Sequence, residues 1–398
     1  MKKIYLLISV TAFLLFFLSC EKQTISLNCN ERNKIPLDEA LSSLQSTLDL
    51  IGPSTKSTRK FSKSNIKILG SLDLKQTKSD VADSLYYVVN FDNNSGYAVL
   101  AADRRVHSPV LMIIDTGEFN LGNYLENEGF NNPNNFGISL LGSGGGIGGE
   151  TLPDDDPHEG ETPGGSGPTF PTTVYPLLIS KWGQGSPFND NFHRPEGETE
   201  RRPAGCTVIA AAQILANNKD VSLSQYFNVT TSTWTDLDKR DFNNISDPYY
   251  LVRRQDIAKV VKAMADGIGV QYNYLGSGGT FAQPLWVKNY LISIGYHNAV
   301  KHVGYNETAI KIMIANRKPV FIAALDGAYG HAWVIDGYIN TGSQMLFHCN
   351  MGWNGASDGY YASGLFDTTS GPVQYDGADP RFDGPEMEFG WWYRIITY

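Results

Sequence analysis

The stretch Gly142-Ser143-Gly144-Gly145-Gly146-Ile147-Gly148-Gly149, continued by Asp154-Asp155-Asp156 and Pro163-Gly164-Gly165-Ser166-Gly167-Pro168, offers few side chains from which to build a core. Such chain loses more conformational entropy on ordering than burial returns, so it reads as a flexible acidic linker. The 398 residues are therefore expected to fold on either side of it. The limits this predicts are 20–141 for a first unit, 142–172 for the linker and 173–398 for a second unit.

The first unit reads as small and α+β. Leu37, Ala40, Leu41, Leu44, Leu48 and Ile51 recur at helical spacing. Strands are predicted over 86–91, 97–101 and 109–114, with Asp92-Asn93-Asn94-Ser95-Gly96 turning the first two into a hairpin. A binding module would share this pattern, so the unit does not identify itself. The second unit starts helical, with an amphipathic segment over 257–265 and further helices over 283–294 and 307–316. Strands dominate later, over 319–325, 331–338, 344–350 and 388–397, as suits an antiparallel sheet. The fold class is α+β, with a helical half facing a sheet half.

Cys206 lies in Gly205-Cys206-Thr207-Val208-Ile209-Ala210-Ala211-Ala212-Gln213-Ile214-Leu215-Ala216, directly before an alanine-rich apolar helix. A thiol at a helix N-terminus meets unsatisfied N–H groups and partial positive charge, which favour the thiolate and can hold an oxyanion. Small residues all round the helix predict that it is packed on every side. A cysteine before a helix is by itself more often structural, but three other segments change the balance. His331 opens a strand ending at Gly337 and is the candidate base; Asn350 closes a second strand before a glycine-rich turn; Gln184 offers a side-chain amide as second oxyanion donor.

The order Gln184, Cys206, His331, Asn350 is that of papain-like peptidases, and the local sequences resemble the streptopain family of bacterial cysteine peptidases. The matching pieces are Trp182-Gly183-Gln184-Gly185-Ser186-Pro187-Phe188-Asn189, Gly205-Cys206-Thr207, His331-Ala332-Trp333-Val334-Ile335-Asp336-Gly337-Tyr338 and His348-Cys349-Asn350-Met351-Gly352-Trp353. The resemblance implies a papain-like two-part catalytic domain, and it turns the first unit into an inhibitory propeptide released by a cut in the linker. It also makes Gly276, Ser277, Gly278, Gly279, Gly330 and Trp353 candidates for lining the substrate cleft. One departure stands out: Met351 occupies a place where the family has tryptophan. An apolar, adaptable methionine there predicts altered efficiency or specificity, with Trp353 available to shield the histidine.

In the expected chemistry Cys206 is a thiolate beside an imidazolium, His331 later protonates the leaving amine, and water hydrolyses the thioester. Asp336 and Asn350 compete to orient His331. The odd offset from His331 to Asp336 puts these two on opposite faces of a regular strand, which favours Asn350. His348 shares a face with Asn350 and either approaches the site or is a hydrogen-bonded core histidine. His107, His158, His193, His297 and His302 lack supporting motifs, and no group has metal-ligand spacing, so neither metal nor cofactor is expected.

Four cysteines, at 20, 29, 206 and 349, are too few and scattered for a disulfide scaffold. Residues 1–19 combine a basic start with an apolar run, and Ser19 precedes Cys20, the pattern of a bacterial lipoprotein signal that would leave a lipid on Cys20. An ordinary secretory signal is the alternative; Cys29 has no assigned role. This predicts export across the inner membrane and anchoring at the outer membrane. A net charge of −9 without a basic stripe argues against a nucleic-acid partner. The reading that unites these features is a secreted cysteine endopeptidase made as a zymogen, acting on protein or peptide substrates and held by its own propeptide. Two rivals keep parts of the pattern: another thiol acyl-transfer enzyme, such as a cell-wall amidase or transglutaminase, and a surface binding protein on a degenerate peptidase fold.

Overall fold

The computed structural model describes residues 34–51, 59–70, 84–104, 106, 108–119, 170–239, 242, 246, 248–272, 279–326, 329–367, 388–389 and 391–398. Residues 1–33, which hold the signal, Cys20 and Cys29, lie outside the described residues, as do 120–169 and Gly276, Ser277 and Gly278.

The first unit holds α1 (Leu37–Ile51) and strands β1 (Ile66–Gly70), β2 (Ser84–Asn90), β3 (Tyr97–Ala101) and β4 (Val110–Ile114). After the linker come β5 (Thr173–Val174), α2 (Cys206–Asn218), α3 (Ser222–Tyr226), α4 (Thr231–Asp236), α5 (Tyr250–Ile268), β6 (Gln271–Tyr272), β7 (Thr280–Phe281), α6 (Pro284–Ser293), β8 (Val300–Val303) and α7 (Glu307–Ala315). The sheet half follows as β9 (Val320–Asp326), β10 (Tyr329–Asn340), β11 (Met345–Asn350), β12 (Gly359–Ala362), β13 (Phe366–Asp367), β14 (Glu388–Phe389) and β15 (Trp391–Thr397). No helix among the described residues is long and apolar enough to cross a membrane.

One antiparallel sheet runs through both units in the order β1-β2-β3-β4-β12-β11-β10-β9-β15-β8, with β5 paired to β10. The join is β4 on β12, in register Gly359↔Ile114, Tyr360↔Ile113 and Tyr361↔Met112. Gly359 permits that approach, because a methyl at its Cα would stand 2.3 Å from the Ile113 carbonyl oxygen. Alternation along β10 sorts the cores. Trp333 and Ile335 enter a cluster that also takes Leu44, Tyr87, Val99 and Ile113 of the first unit, whereas Ala332 and Val334 face the helical cluster around α2. In α2 every residue from Thr207 to Ala216 is buried, as its small side chains predict. Continuity of sheet and core makes Ile35–Tyr398 one contact unit across the linker.

Candidate active site

The chain reaches α2 through Gly205 at φ 92°, a left-handed turn that a side chain would strain, with its Cα packed toward Thr280. Cys206 is half-buried at the helix tip. Cys206 packs against the buried cluster that contains Ala332, the residue after His331, and Thr207 Oγ1 lies 4.0 Å from Sγ. These contacts bring the helical half against the sheet half at the nucleophile. Burial pushes the thiol above its ordinary range, and the backbone and hydroxyl bonds only partly offset this. In this state the helix tip therefore holds a thiol, not the thiolate that its position predicts.

His331 is buried at the start of β10, its ring centroid 4.4 Å from that of Trp353 and 6.0 Å from that of Trp333. Its Nε2 donates to the Met351 carbonyl at 2.9 Å. A carbonyl can only accept, so the proton sits on Nε2 and Nδ1 is the basic nitrogen. Burial lowers the imidazole to about 4, the bond to Met351 acting the other way. The ring is thus neutral at physiological pH. The same cause acts on both groups: burial disfavours the imidazolium as it disfavours the thiolate.

The residue expected to orient His331 has other partners. Asn350 Nδ2 donates to the Ser180 carbonyl at 2.7 Å, and Oδ1 accepts from Gln213 Nε2 at 2.9 Å and from the Gly352 amide at 3.1 Å. The turn after β11, with Gly352 at φ 71°, presents the next carbonyl, that of Met351, to the imidazole. Met351 is fully buried, and its amide donates to Asp358 Oδ1 at 2.8 Å. Burial raises the Asp358 carboxyl to about 7 despite that bond. Shielding of the histidine falls to the Trp353 indole.

Gln184 is half-buried, and its carbonyl accepts from the Ala204 amide at 2.8 Å, two residues before Cys206. Its neighbour Gly183 packs on the Asn354 side chain, and the Asn354 amide donates to the Trp182 carbonyl at 3.0 Å. The loop carrying Gln184 is thereby fixed between the nucleophile and the Trp353 turn. Of the cleft candidates, Gly330 is exposed beside His331, and Gly279 precedes Thr280, whose hydroxyl donates to the Pro203 carbonyl at 2.5 Å. Gly276, Ser277 and Gly278 lie outside the described residues.

Asp336 turns away from His331, as strand alternation predicts, and serves the other histidine. His348 Nδ1 lies 2.6 Å from Asp336 Oδ1, and Nε2 lies 3.1 Å from Asp115 Oδ2 of the first unit. Arg59 Nη2 bonds the second Asp115 oxygen at 2.6 Å. Burial alone would lower His348, but the two carboxylates outweigh it and hold the imidazole at about 10. His348 is thus a core ion-pair residue that joins the two units. Sequence reasoning missed Asp115, Asp358 and Gln213. Only Gln213 left a signal, as an amide within the apolar run from Val208 to Ala216.

Residues 182–361 match the model of the Peptidase C10 family. This region is similar to the streptopain family of cysteine peptidases. Streptopain from Streptococcus pyogenes is 27% identical over 222 residues, 47% of this chain and 55% of that protein. The thiol protease/hemagglutinin PrtT of Porphyromonas gingivalis is 25% identical over 230 residues, 50% of this chain and 26% of that one. The chain spans about half the length of the streptopains it matches. Among solved structures, interpain A cysteine protease of Prevotella intermedia aligns with a TM-score of 0.43 at 21% identity, covering 57% of this chain and 95% of that one. A prointerpain A fragment aligns with a TM-score of 0.49 at 19% identity, covering 83% and 97%. The four motifs that carry the streptopain-family resemblance converge here on one place in the fold.

Proposed function

We propose that this protein is a secreted cysteine endopeptidase made in latent form, with Cys206 as nucleophile and His331 as acid and base. The observation that carries this reading is the Cys206 thiol at a helix tip packed against the strand that begins with His331, an imidazole whose Nε2 is already tied to a carbonyl. In the reaction Nδ1 takes the thiol proton as sulfur attacks the substrate carbonyl. The oxyanion is received at the N-terminus of α2 with the Gln184 amide as second donor. His331 then protonates the leaving amine, and water cleaves the Cys206 thioester. Lipid attachment at Cys20 and export to the cell envelope are part of the proposal and rest on the sequence of residues 1–20.

Residues 20–141 act in it as the latency element, a role that rests on the sequence resemblance and on the pairing of β4 with β12. Activation cuts the linker within 142–169. Chain after that point is pinned: Tyr338 Oη donates to the Pro171 carbonyl at 2.9 Å, the Asn340 amide to the Thr172 carbonyl at 2.8 Å, and β5 pairs with β10. The continuous sheet and shared core favour a second reading, in which the first unit stays attached after the cut as a permanent subdomain. Full-length Cys206→Ala protein should be inert toward casein and uncut alone, and active enzyme added in trans should clip it within 142–169. Casein hydrolysis by the variant would remove Cys206 as nucleophile. Coelution of the two fragments with full activity would favour the permanent-subdomain reading.

A further inference from the structure

Gln213 lies seven residues after Cys206, two turns along the same helix, with no exposed surface. Its Oε1 accepts from Ser180 Oγ at 2.9 Å and from the Trp182 amide at 3.4 Å, and its Nε2 donates to Asn350 Oδ1 at 2.9 Å. Asn350 Nδ2 returns to the Ser180 carbonyl, closing a ring of Gln213, Asn350 and Ser180. The neighbours settle both amide orientations. The Trp182 and Gly352 N–H groups can only donate, so each faces an oxygen; the Ser180 carbonyl can only accept, so it faces Nδ2.

Three chain segments meet at this one side chain. The first, 180–182, runs into the Gln184 loop; the second is the helix that presents Cys206; the third, 350–352, carries the Met351 carbonyl that holds His331. Ordinary core packing would be served by an apolar residue in a helix otherwise so apolar, and a buried amide persists only when its bonds are worth its desolvation. We infer that Gln213 is a positioning residue: through Asn350 it fixes the Met351 carbonyl, and so the tautomer and placement of His331, while its oxygen fixes the root of the Gln184 loop. Gln213 touches no reacting atom. The inference rests on the peptidase reading for its consequence, but the geometry it describes exists without turnover.

The test compares Gln213→Glu, Gln213→Met and Ser180→Ala proteins with the unsubstituted chain, each made full-length and cleaved in the linker before assay. Gln213→Glu keeps the acceptors for Ser180 and Trp182 and turns an oxygen against Asn350 Oδ1; Gln213→Met removes every bond at similar volume; Ser180→Ala deletes one hydroxyl and is the gentlest. Two readouts are taken: kcat and KM on a peptide, and the pH profile of Cys206 alkylation by iodoacetamide, located by peptide mass. The expected result is a kcat loss of up to ~10²-fold with KM little changed, the size a misplacement of about an ångström brings. The alkylation profile should move along the pH axis in Gln213→Glu and, less, in Ser180→Ala. Variants that lose only thermal stability, with kcat and the alkylation profile of the unsubstituted chain, would overturn the inference and leave Gln213 structural. If Gln213→Glu does not fold, an unmoved profile in Ser180→Ala and Gln213→Met overturns it equally. A shifted alkylation profile in a protein that cleaves no peptide would keep the positioning role and sink the peptidase reading.

Discussion

His331 and His348 stand on neighbouring strands of one sheet, both buried, and the fold drives them in opposite directions. His331 sits between indoles, donates to the Met351 carbonyl and is held down at about 4; His348 sits between two carboxylates and is held up at about 10. Burial acts the same way on both, since it disfavours the charged ring. The carboxylates alone make the difference. The neutral ring is the one suited to accept a proton from a thiol, and the charged ring is the one suited to fasten one unit to another. A histidine's role is therefore set by what surrounds it.

The largest effect expected from this contrast is on turnover. His331→Ala should lower kcat by ~10²–10⁴-fold, the usual share of a general acid–base, with little change in thermal midpoint. His348→Ala should do the reverse. It leaves Asp336 buried without its counter-charge, which typically costs about 3–5 kcal/mol, and it leaves Asp115 to Arg59 alone among the two ion-pair partners described for it. Thermal unfolding and peptide hydrolysis on the two variants check this crossing pattern; a His348 variant of native stability would break the comparison.

A structural break comes next. Gly359→Ala places a methyl into the Ile113 carbonyl and should part β4 from β12 without touching His331, although it also pulls Asp115, the residue after β4, from His348. Hydrogen exchange should rise in β2 to β4, and Cys206 should be alkylated faster if the first unit sustains latency. Unchanged exchange would mean that the two units hold without that ladder.

The smallest effect is the pH dependence, and its sign follows from the two shifts. His331 is lowered, so between about 4 and its ordinary value the unfolded chain binds more protons than the native one, and stability rises with pH across that window. His348 is raised, so its contribution is whole below the ordinary histidine value and is lost as pH climbs toward about 10. Urea midpoints across pH should rise on the acid side and fall on the alkaline side. His331→Ala should flatten the first limb and His348→Ala the second; the opposite assignment would invert the account.

What was legible in the sequence follows the same divide between local and distant causes. α1 and α2 could be read because apolar spacing and small residues act within a few turns, and the order Gln184, Cys206, His331, Asn350 marked the strands and loop that meet at the cleft. Alternation foresaw that Asp336 turns from His331, and left His348 open between site and core. The pairing of β4 with β12 was not legible, since a short strand such as Gly359–Ala362 carries no sign of its neighbour across the linker. Nor was the role of Met351, which acts through a carbonyl that every residue has. The charge of Cys206 and His331 is set by opposing causes: motif chemistry predicts a thiolate–imidazolium pair, and burial in this fold acts against both charges.

The most direct measurement is to trap the acyl intermediate. An activated ester mixed with the linker-cleaved protein, quenched in acid and digested, should show the acyl mass on the peptide containing Cys206. Folded His348→Ala protein should show it as well, and His331→Ala should show it far more slowly. Ester or peptide hydrolysis that proceeds with no acyl group on Cys206, or with the same rate in His331→Ala, would contradict the assignment of this pair as the catalytic centre.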